Sequence, residues 1–388
     1  MQVTFHPTFS ISQLLLLYIG RIEACKEVIQ NAPVVPSHEF QFRKLAHVRS
    51  AFHGTHLEGN GLTKDQVEKL IDAGGRTGSL ENPIALAQRA GITARERDIQ
   101  ELLNFRTVLE WIDMHGSTSS SFSNLIRTRG PNQDAQEKPT YTQDMLKHMH
   151  ALVTARIIPE DQIGRYRTQQ VVVRSAESGE IVYRPPLAMD VPAHLDAFFS
   201  WLNSDEGRSI HPILRAGITH YQLVAIHPFI EGNGRSARAL ATYVLYAEGY
   251  DVKRFFSLEE YFDHDVNAYY NAILSVQKHP QKDLTYWLEF FAFGLAVELD
   301  KIKSQVVKLS QDARLKTKLG GTQVALTERQ IILLEYLHEH EEFSVQQANY
   351  LIPLVSPDTI LRDIKDLMDK GIIEKMGVTK GVRYVLRK

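Results

Sequence analysis

The sequence predicts a mainly α-helical protein with one small internal β-hairpin and a compact C-terminal module of three short helices and a second hairpin. Three observations carry this. Apolar residues recur three and four apart over much of the chain, the period of an amphipathic helix. Paired β-branched runs flank a glycine-containing turn near residue 178, which is the pattern of a hairpin. After Gly320-Gly321, short helical stretches give way to two final strand-like runs.

In chain order, Leu14, Leu15, Tyr18, Ile22 and Cys25 share a helical face, and Phe42 to Glu58 repeats that spacing with Leu45, Val48 and Phe52. Glu58-Gly59-Asn60-Gly61 ends the second helix, because glycine and asparagine tolerate a left-handed cap. Gly116 to Thr140, rich in Ser, Thr, Gly and Pro, reads as a surface loop or insertion. Gln170 to Arg174 and Glu180 to Tyr183 flank Ala176-Glu177-Ser178-Gly179 as two strands of a hairpin, closed by Pro185-Pro186. Ala193 to Ala247 is helical again, broken at His227 to Gly234, and Leu284 to Leu315 gives one or two further helices. Gln330 to His338, Val345 to Leu351 and Asp358 to Lys370 are short helices. Ile372 to Met376, a Gly377–Gly381 turn and Val382 to Leu386 complete a winged helix-turn-helix pattern. The expected organisation is a helical region over 1–110, a core over 111–300, a helical linker over 301–321 and the winged module over 322–388.

Composition narrows the function classes. With 44 Lys and Arg against 46 Asp and Glu, the formal net charge is -2, which excludes a uniformly basic polyanion binder. One cysteine excludes an internal disulfide and a cysteine-rich zinc site, and it favours a reducing, cytoplasmic setting. The apolar run Leu14 to Ile19 is too short to span a bilayer and has no basic flank before it, so neither a membrane element nor a signal peptide is expected. Leu14 to Leu17 is expected to pack. His148 and His150 lie two apart on a helix and do not make a metal pair.

The chemistry concentrates in His227-Pro228-Phe229-Ile230-Glu231-Gly232-Asn233-Gly234-Arg235-Ser236-Ala237-Arg238. Gly232 and Gly234 let backbone N–H groups approach an anion at a helix start, where the dipole favours negative charge. Arg235 and Arg238 lie three apart, on one side of the first turn, and their forks suit a polyphosphate. Glu231 offers a hard oxygen for Mg²⁺, and His227 can take a proton near neutral pH. The string is neither a P-loop nor a Rossmann fingerprint.

This string resembles the signature of the Fic-domain family, H-x-F-x-[DE]-G-N-G-R-x-x-R, at every specified position. The resemblance runs over roughly residues 40–300 and implies an all-α bundle with a small hairpin flap. It implies transfer of AMP from ATP to a Ser, Thr or Tyr hydroxyl of a protein, with release of pyrophosphate. In that scheme His227 is the general base, Glu231 holds Mg²⁺, and Gly232, Asn233 and Gly234 bind the α-phosphate. Arg235 takes the β-phosphate and Arg238 the γ-phosphate. Tyr269 and Tyr270 face the adenine, with Gln277 near the ribose or base. The flap strand Val171, Val172, Val173 and Arg174 receives the target by strand addition. Thr55-His56-Leu57-Glu58-Gly59 resembles the family's inhibitory motif, in which Glu58 pairs with Arg238 and displaces the γ-phosphate. Gly54 departs from that motif, standing where the family has Ser or Thr.

The implied partners are a protein target at the flap, the protein itself as a substrate, and a second copy in a homodimer. The same residues would also suit a de-adenylylating hydrolase or a nucleotide-sensing transcriptional regulator. For the winged module, a protein-interaction or dimerisation role is favoured over DNA binding, which stays open. Residues 362–388 carry eight Lys and Arg against four Asp and Glu, but Asp363, Asp366 and Asp369 sit on the recognition helix.

Overall fold

The computed structural model describes residues 3–32, 34, 36–74, 82–116, 139–174, 179–318, 326–352, 355–377 and 382–387. The interior of the Gly116–Thr140 segment, the turn at Ala176 to Ser178 and the Gly320-Gly321 pair lie outside these residues. The chain divides into two compact units. The larger takes in residues 1–31, 43–118 and 137–305, and the smaller includes 306–388.

The larger unit is helical. Helices α1 (Gln13–Asn31), α2 (Pro36–His56), α3 (Lys64–Ala73), α4 (Pro83–Ala90) and α5 (Glu96–His115) precede α6 (Gln143–Thr154). Then come α7 (Val191–Asn203), α8 (Asp205–Ser209), α9 (Pro212–Ile226), α10 (Asn233–Ala247), α11 (Leu258–His264), α12 (Val266–Lys278) and the long α13 (Thr285–Lys318), which belongs to this unit as far as Gln305. The predicted 193–247 helix is broken at two further places for local reasons. Ser204 accepts the Gly207 N–H and starts α8, while Pro212 starts α9 at a position where its missing N–H costs nothing. Helix α10 is the centre of the unit: almost every residue from Asn233 to Ala247 is buried, as expected of a helix surrounded by others.

Two expectations at the N-terminal end need correction. Leu15 is buried, but Leu14, Leu16 and Leu17 are exposed, so the leucine run does not pack as a whole. The buried stripe of α1 is Leu15, Ile22, Cys25 and Ile29, a narrower seam. Helix α2 ends at His56, and Glu58 therefore lies in the closing turn rather than on the helix. The turn is made by Glu58 N–H to Thr55 carbonyl at 3.0 Å and Gly59 N–H to His56 carbonyl at 2.8 Å. Val48, Ala51, Leu62, Val67, Leu70, Leu86 and Leu102 pack together beneath it, joining α2 to α5 in one apolar cluster.

The internal hairpin is shorter than its sequence suggests. β1 (Val173–Arg174) pairs antiparallel with β2 (Ile181–Tyr183), with Val173 opposite Tyr183, while Val171 and Val172 lie outside the strand.

In the smaller unit, α14 (Glu328–His340), α15 (Val345–Leu351) and α16 (Pro357–Asp369) each begin on a Ser or Thr cap: Thr327, Ser344 and Ser356. β3 (Glu342–Phe343), β4 (Ile373–Met376) and β5 (Arg383–Leu386) form an antiparallel sheet in the order β3-β5-β4. The sequence predicted the helices and the β4–β5 hairpin but not β3, whose two residues are too few to show a period. Leu333, Leu337, Phe343, Ile360, Ile364, Leu367 and Tyr384 fill the core.

Candidate active site

Helix α9 ends at His227, which adopts a left-handed backbone (φ 52°, ψ 60°) and caps the helix through its N–H to the Leu223 carbonyl. His227 Nδ1 lies 3.3 Å from the Val224 carbonyl. A carbonyl only accepts, so this contact assigns the ring proton to Nδ1 and leaves Nε2 with a free lone pair. Burial pushes the His227 pKa below the ordinary histidine value, and Arg167 adds to that, while the Val224 carbonyl and Glu58 oppose it. The imidazole is therefore neutral at neutral pH, the form a general base needs.

The loop after His227 is held by its own side chains. Asn233 Oδ1 accepts the Phe229 N–H at 2.9 Å, and Asn233 Nδ2 donates to the Phe229 carbonyl at 2.9 Å. Asn233 thus spends its amide on the loop rather than on a phosphate. The remaining anion donors are the N–H groups of the first turn of α10, which have no intrahelical acceptor. Gly232 stands at the N-cap with φ 76°, and a Cβ there would fall 2.7 Å from Thr154 Cγ2. Conformation and space both require glycine.

Arg235 and Arg238 are both buried on α10. Arg238 Nη2 donates to Glu58 Oε1 at 2.8 Å and to the Gly54 carbonyl at 2.8 Å. Burial raises the Glu58 pKa, but the charges of Arg238 and Arg235 outweigh it and hold the carboxyl below its usual range. A Cβ on Gly234 would collide with Glu58 Oε1, so the glutamate rests against bare backbone at the helix start. Arg235 Nη2 lies 3.4 Å from Glu231 Oε1, and its buried Nε has no hydrogen-bond partner among the described residues. Glu231 is also ion-paired with Arg97 of α5. Among the described residues no three His, Cys, Asp or Glu side chains gather to hold a metal. A single part-exposed carboxylate at a helix start still fits Mg²⁺ of the kind that takes its other ligands from phosphate and water.

The two tyrosines separate. Tyr269 is in the core; its hydroxyl lies 2.9 Å from His220 Nε2 and its ring stacks on Phe262. Tyr269 thus presents no open face in this structure. Tyr270 is 43% exposed, with its hydroxyl 3.4 Å from the Leu57 carbonyl beside the Glu58 turn. Gln277 is half-buried, and its buried Oε1 has no partner among the described residues.

Arg167, Tyr183 and His150 position the loop, roles that the sequence reading did not assign. Arg167 donates from Nε to the His227 carbonyl at 2.7 Å and from Nη2 to the Pro186 carbonyl at 2.6 Å, and its N–H bonds the Pro228 carbonyl at 2.8 Å. It therefore ties the histidine loop to the root of the flap. Tyr183 adds a hydroxyl bond to the Ala225 carbonyl at 2.9 Å. His150 stacks flat on Phe229, with ring centroids 3.7 Å apart, accepts the Gly164 N–H at Nδ1 and bonds the Glu231 carbonyl at Nε2. An arginine or histidine whose hydrogen bonds all go to backbone looks, in sequence, like any surface residue.

Residues 140–245, which hold α6 to α10, match the sequence model of the Fic/DOC family. Protein adenylyltransferase Fic of Nematostella vectensis is 27% identical over 223 residues, 57% of this chain and 43% of that protein. The protein of the same name from Drosophila grimshawi is 26% identical over 209 residues, 54% of this chain and 35% of that one. The chain thus spans less than half the length of these curated relatives. A crystal structure of a Fic family protein from Desulfovibrio desulfuricans G20 aligns over 98% of both chains, with a TM-score of 0.58 and 20% identity. A Fic domain-containing signaling protein from Bacteroides thetaiotaomicron VPI-5482 aligns over 77% of this chain and 97% of its own, with a TM-score of 0.54 and 19% identity. The fold, the residues of the loop and the matched segment agree: residues 140–245 of this chain resemble the Fic/DOC family domain.

Proposed function

We propose that the protein transfers AMP from ATP to a hydroxyl side chain of a protein and is held inactive by Glu58. The observation that carries this reading is the loop–helix turn that gathers a neutral imidazole, a helix N-terminus and two buried arginines, with Glu58 bonded to the second of them. The target oxygen attacks the α-phosphorus, the bond to the β-phosphate oxygen breaks, and pyrophosphate leaves. His227 Nε2 takes the hydroxyl proton. The first-turn N–H groups of α10 face the charge that builds on the α-phosphate, Arg235 holds the β-phosphate, and Arg238 holds the γ-phosphate once Glu58 is displaced. Mg²⁺ bound with ATP would sit at Glu231 and neutralise charge between the α- and β-phosphates. A target segment lies against the flap strand, where Arg167 keeps strand and base in register. ATP supply and the single cysteine suit a cytoplasmic setting, and among the described residues no helix is long and apolar enough to cross a membrane.

Intact-mass spectrometry after incubation with ATP and Mg²⁺ tests the reading. The Glu58→Gly chain is expected to gain one or more AMP groups on itself, the wild type far less, and Glu58→Gly with His227→Ala none. No AMP on the Glu58→Gly chain or on proteins of a matched lysate would overturn it.

A further inference from the structure

Glu231 is the only carboxylate within the 227–238 motif, and the structure does not leave it open. Its Oε1 meets two guanidiniums, those of Arg97 and Arg235. Arg235 belongs to the motif, whereas Arg97 lies on α5, outside the matched segment. Arg97 Nε donates to Glu101 Oε1 at 3.1 Å. Glu101 is buried, and its Oε2 accepts from Asn60 Nδ2 at 3.0 Å. Asn60 also donates to the Asp98 carbonyl at 3.0 Å and accepts the Leu62 N–H at 3.1 Å, so its amide is fully engaged. Asn60 stands two residues after Glu58 in the same turn. That turn thus reaches the motif twice: directly through Glu58 to Arg238, and through Asn60, Glu101 and Arg97 to Glu231.

We infer that Arg97 is a second brake, holding Glu231 in an ion pair that a divalent cation must displace. A cation and a guanidinium compete for the same oxygen, and two positive neighbours lower that oxygen's attraction for a third. The Arg97 side chain is 56% exposed, so its removal leaves the packing intact, and Glu101 keeps Asn60. The inference rests on the reading of Glu231 as the metal carboxylate, not on the identity of the group transferred.

The test is Mn²⁺ binding in the presence of ADP, followed by electron paramagnetic resonance, in the Glu58→Gly chain with and without Arg97→Ala. Arg97→Ala is expected to tighten Mn²⁺ by about threefold, the scale of a part-exposed ion pair. Arg97→Lys, which keeps the charge, should stay near the parent. Unchanged or weaker Mn²⁺ binding in Arg97→Ala would overturn the inference and make the arginine a structural or phosphate-binding group. If Glu231→Gln binds Mn²⁺ as the parent does, the metal assignment fails and the inference with it. If Mn²⁺ tightens as expected but no AMP is transferred, the brake stands and the proposed reaction fails.

Discussion

At the residue scale, the proposed transfer rests on His227 being neutral with its free lone pair at Nε2. Its pKa lies below the ordinary histidine value because burial disfavours the charged ring, and Glu58 pulls the other way. Removing Glu58 therefore lowers it further. The rate of AMP transfer by the Glu58→Gly chain should hold as pH falls below ~6.5 and decline only at a lower pH. A decline centred at or above the ordinary value would contradict the assigned environment. The motif residues were legible in the sequence because glycine, arginine, glutamate and histidine at that spacing have few other uses. Tyr269 was not, since a buried tyrosine and a ligand-facing one leave the same letter at the same helical position. Arg97, His150 and Arg167 were not, because their partners are backbone atoms or residues distant in sequence.

At the scale of elements, two small devices hold the loop in place. His150 accepts at one nitrogen and donates at the other, which only the neutral ring can do. Burial, with a contribution from Arg235, lowers its pKa to about 4. The unfolded chain binds that proton more readily, so the stabilisation is complete above ~6.5 and is lost as pH falls toward 4. Its ceiling is about 3 kcal/mol. Thermal melts should show the midpoint falling through that window, and His150→Phe should flatten the fall while lowering stability at neutral pH. The second device is Arg167. Truncation to alanine leaves several part-buried carbonyls without a donor and is expected to cost about 1–3 kcal/mol. In the Glu58→Gly background, Arg167→Lys should lower kcat more than it raises the KM for ATP, since base and flap lose their common anchor while the phosphate contacts remain.

At the scale of the whole molecule, the charges of the smaller unit are distributed differently from their linear count. Asp363 is buried and ion-paired with Arg329, and Asp366 takes bonds from Gln330 and Lys370. Two of the three acids that weigh against a nucleic-acid role are thus neutralised within the module, while Arg362 and Lys365 stay exposed on the same helix. The full chain should retard duplex DNA at low salt and lose that binding steeply as salt rises. No retardation at low salt would favour a protein partner for this face. The three capped helices and the hairpin were readable because each cap precedes an apolar period. Strand β3 was not, because its partner β5 lies about forty residues downstream.

The bare backbone at Gly234 serves both states of the proposed cycle. The gap that would let a phosphate reach the start of α10 is the gap in which the Glu58 carboxylate rests. In the proposed cycle, inhibitor and substrate would therefore share one vacancy, and a side chain installed there would displace both. Release of the brake by mutation is open at the glutamate and closed at the glycine, so Gly234→Ala should yield a chain that is neither restrained nor active.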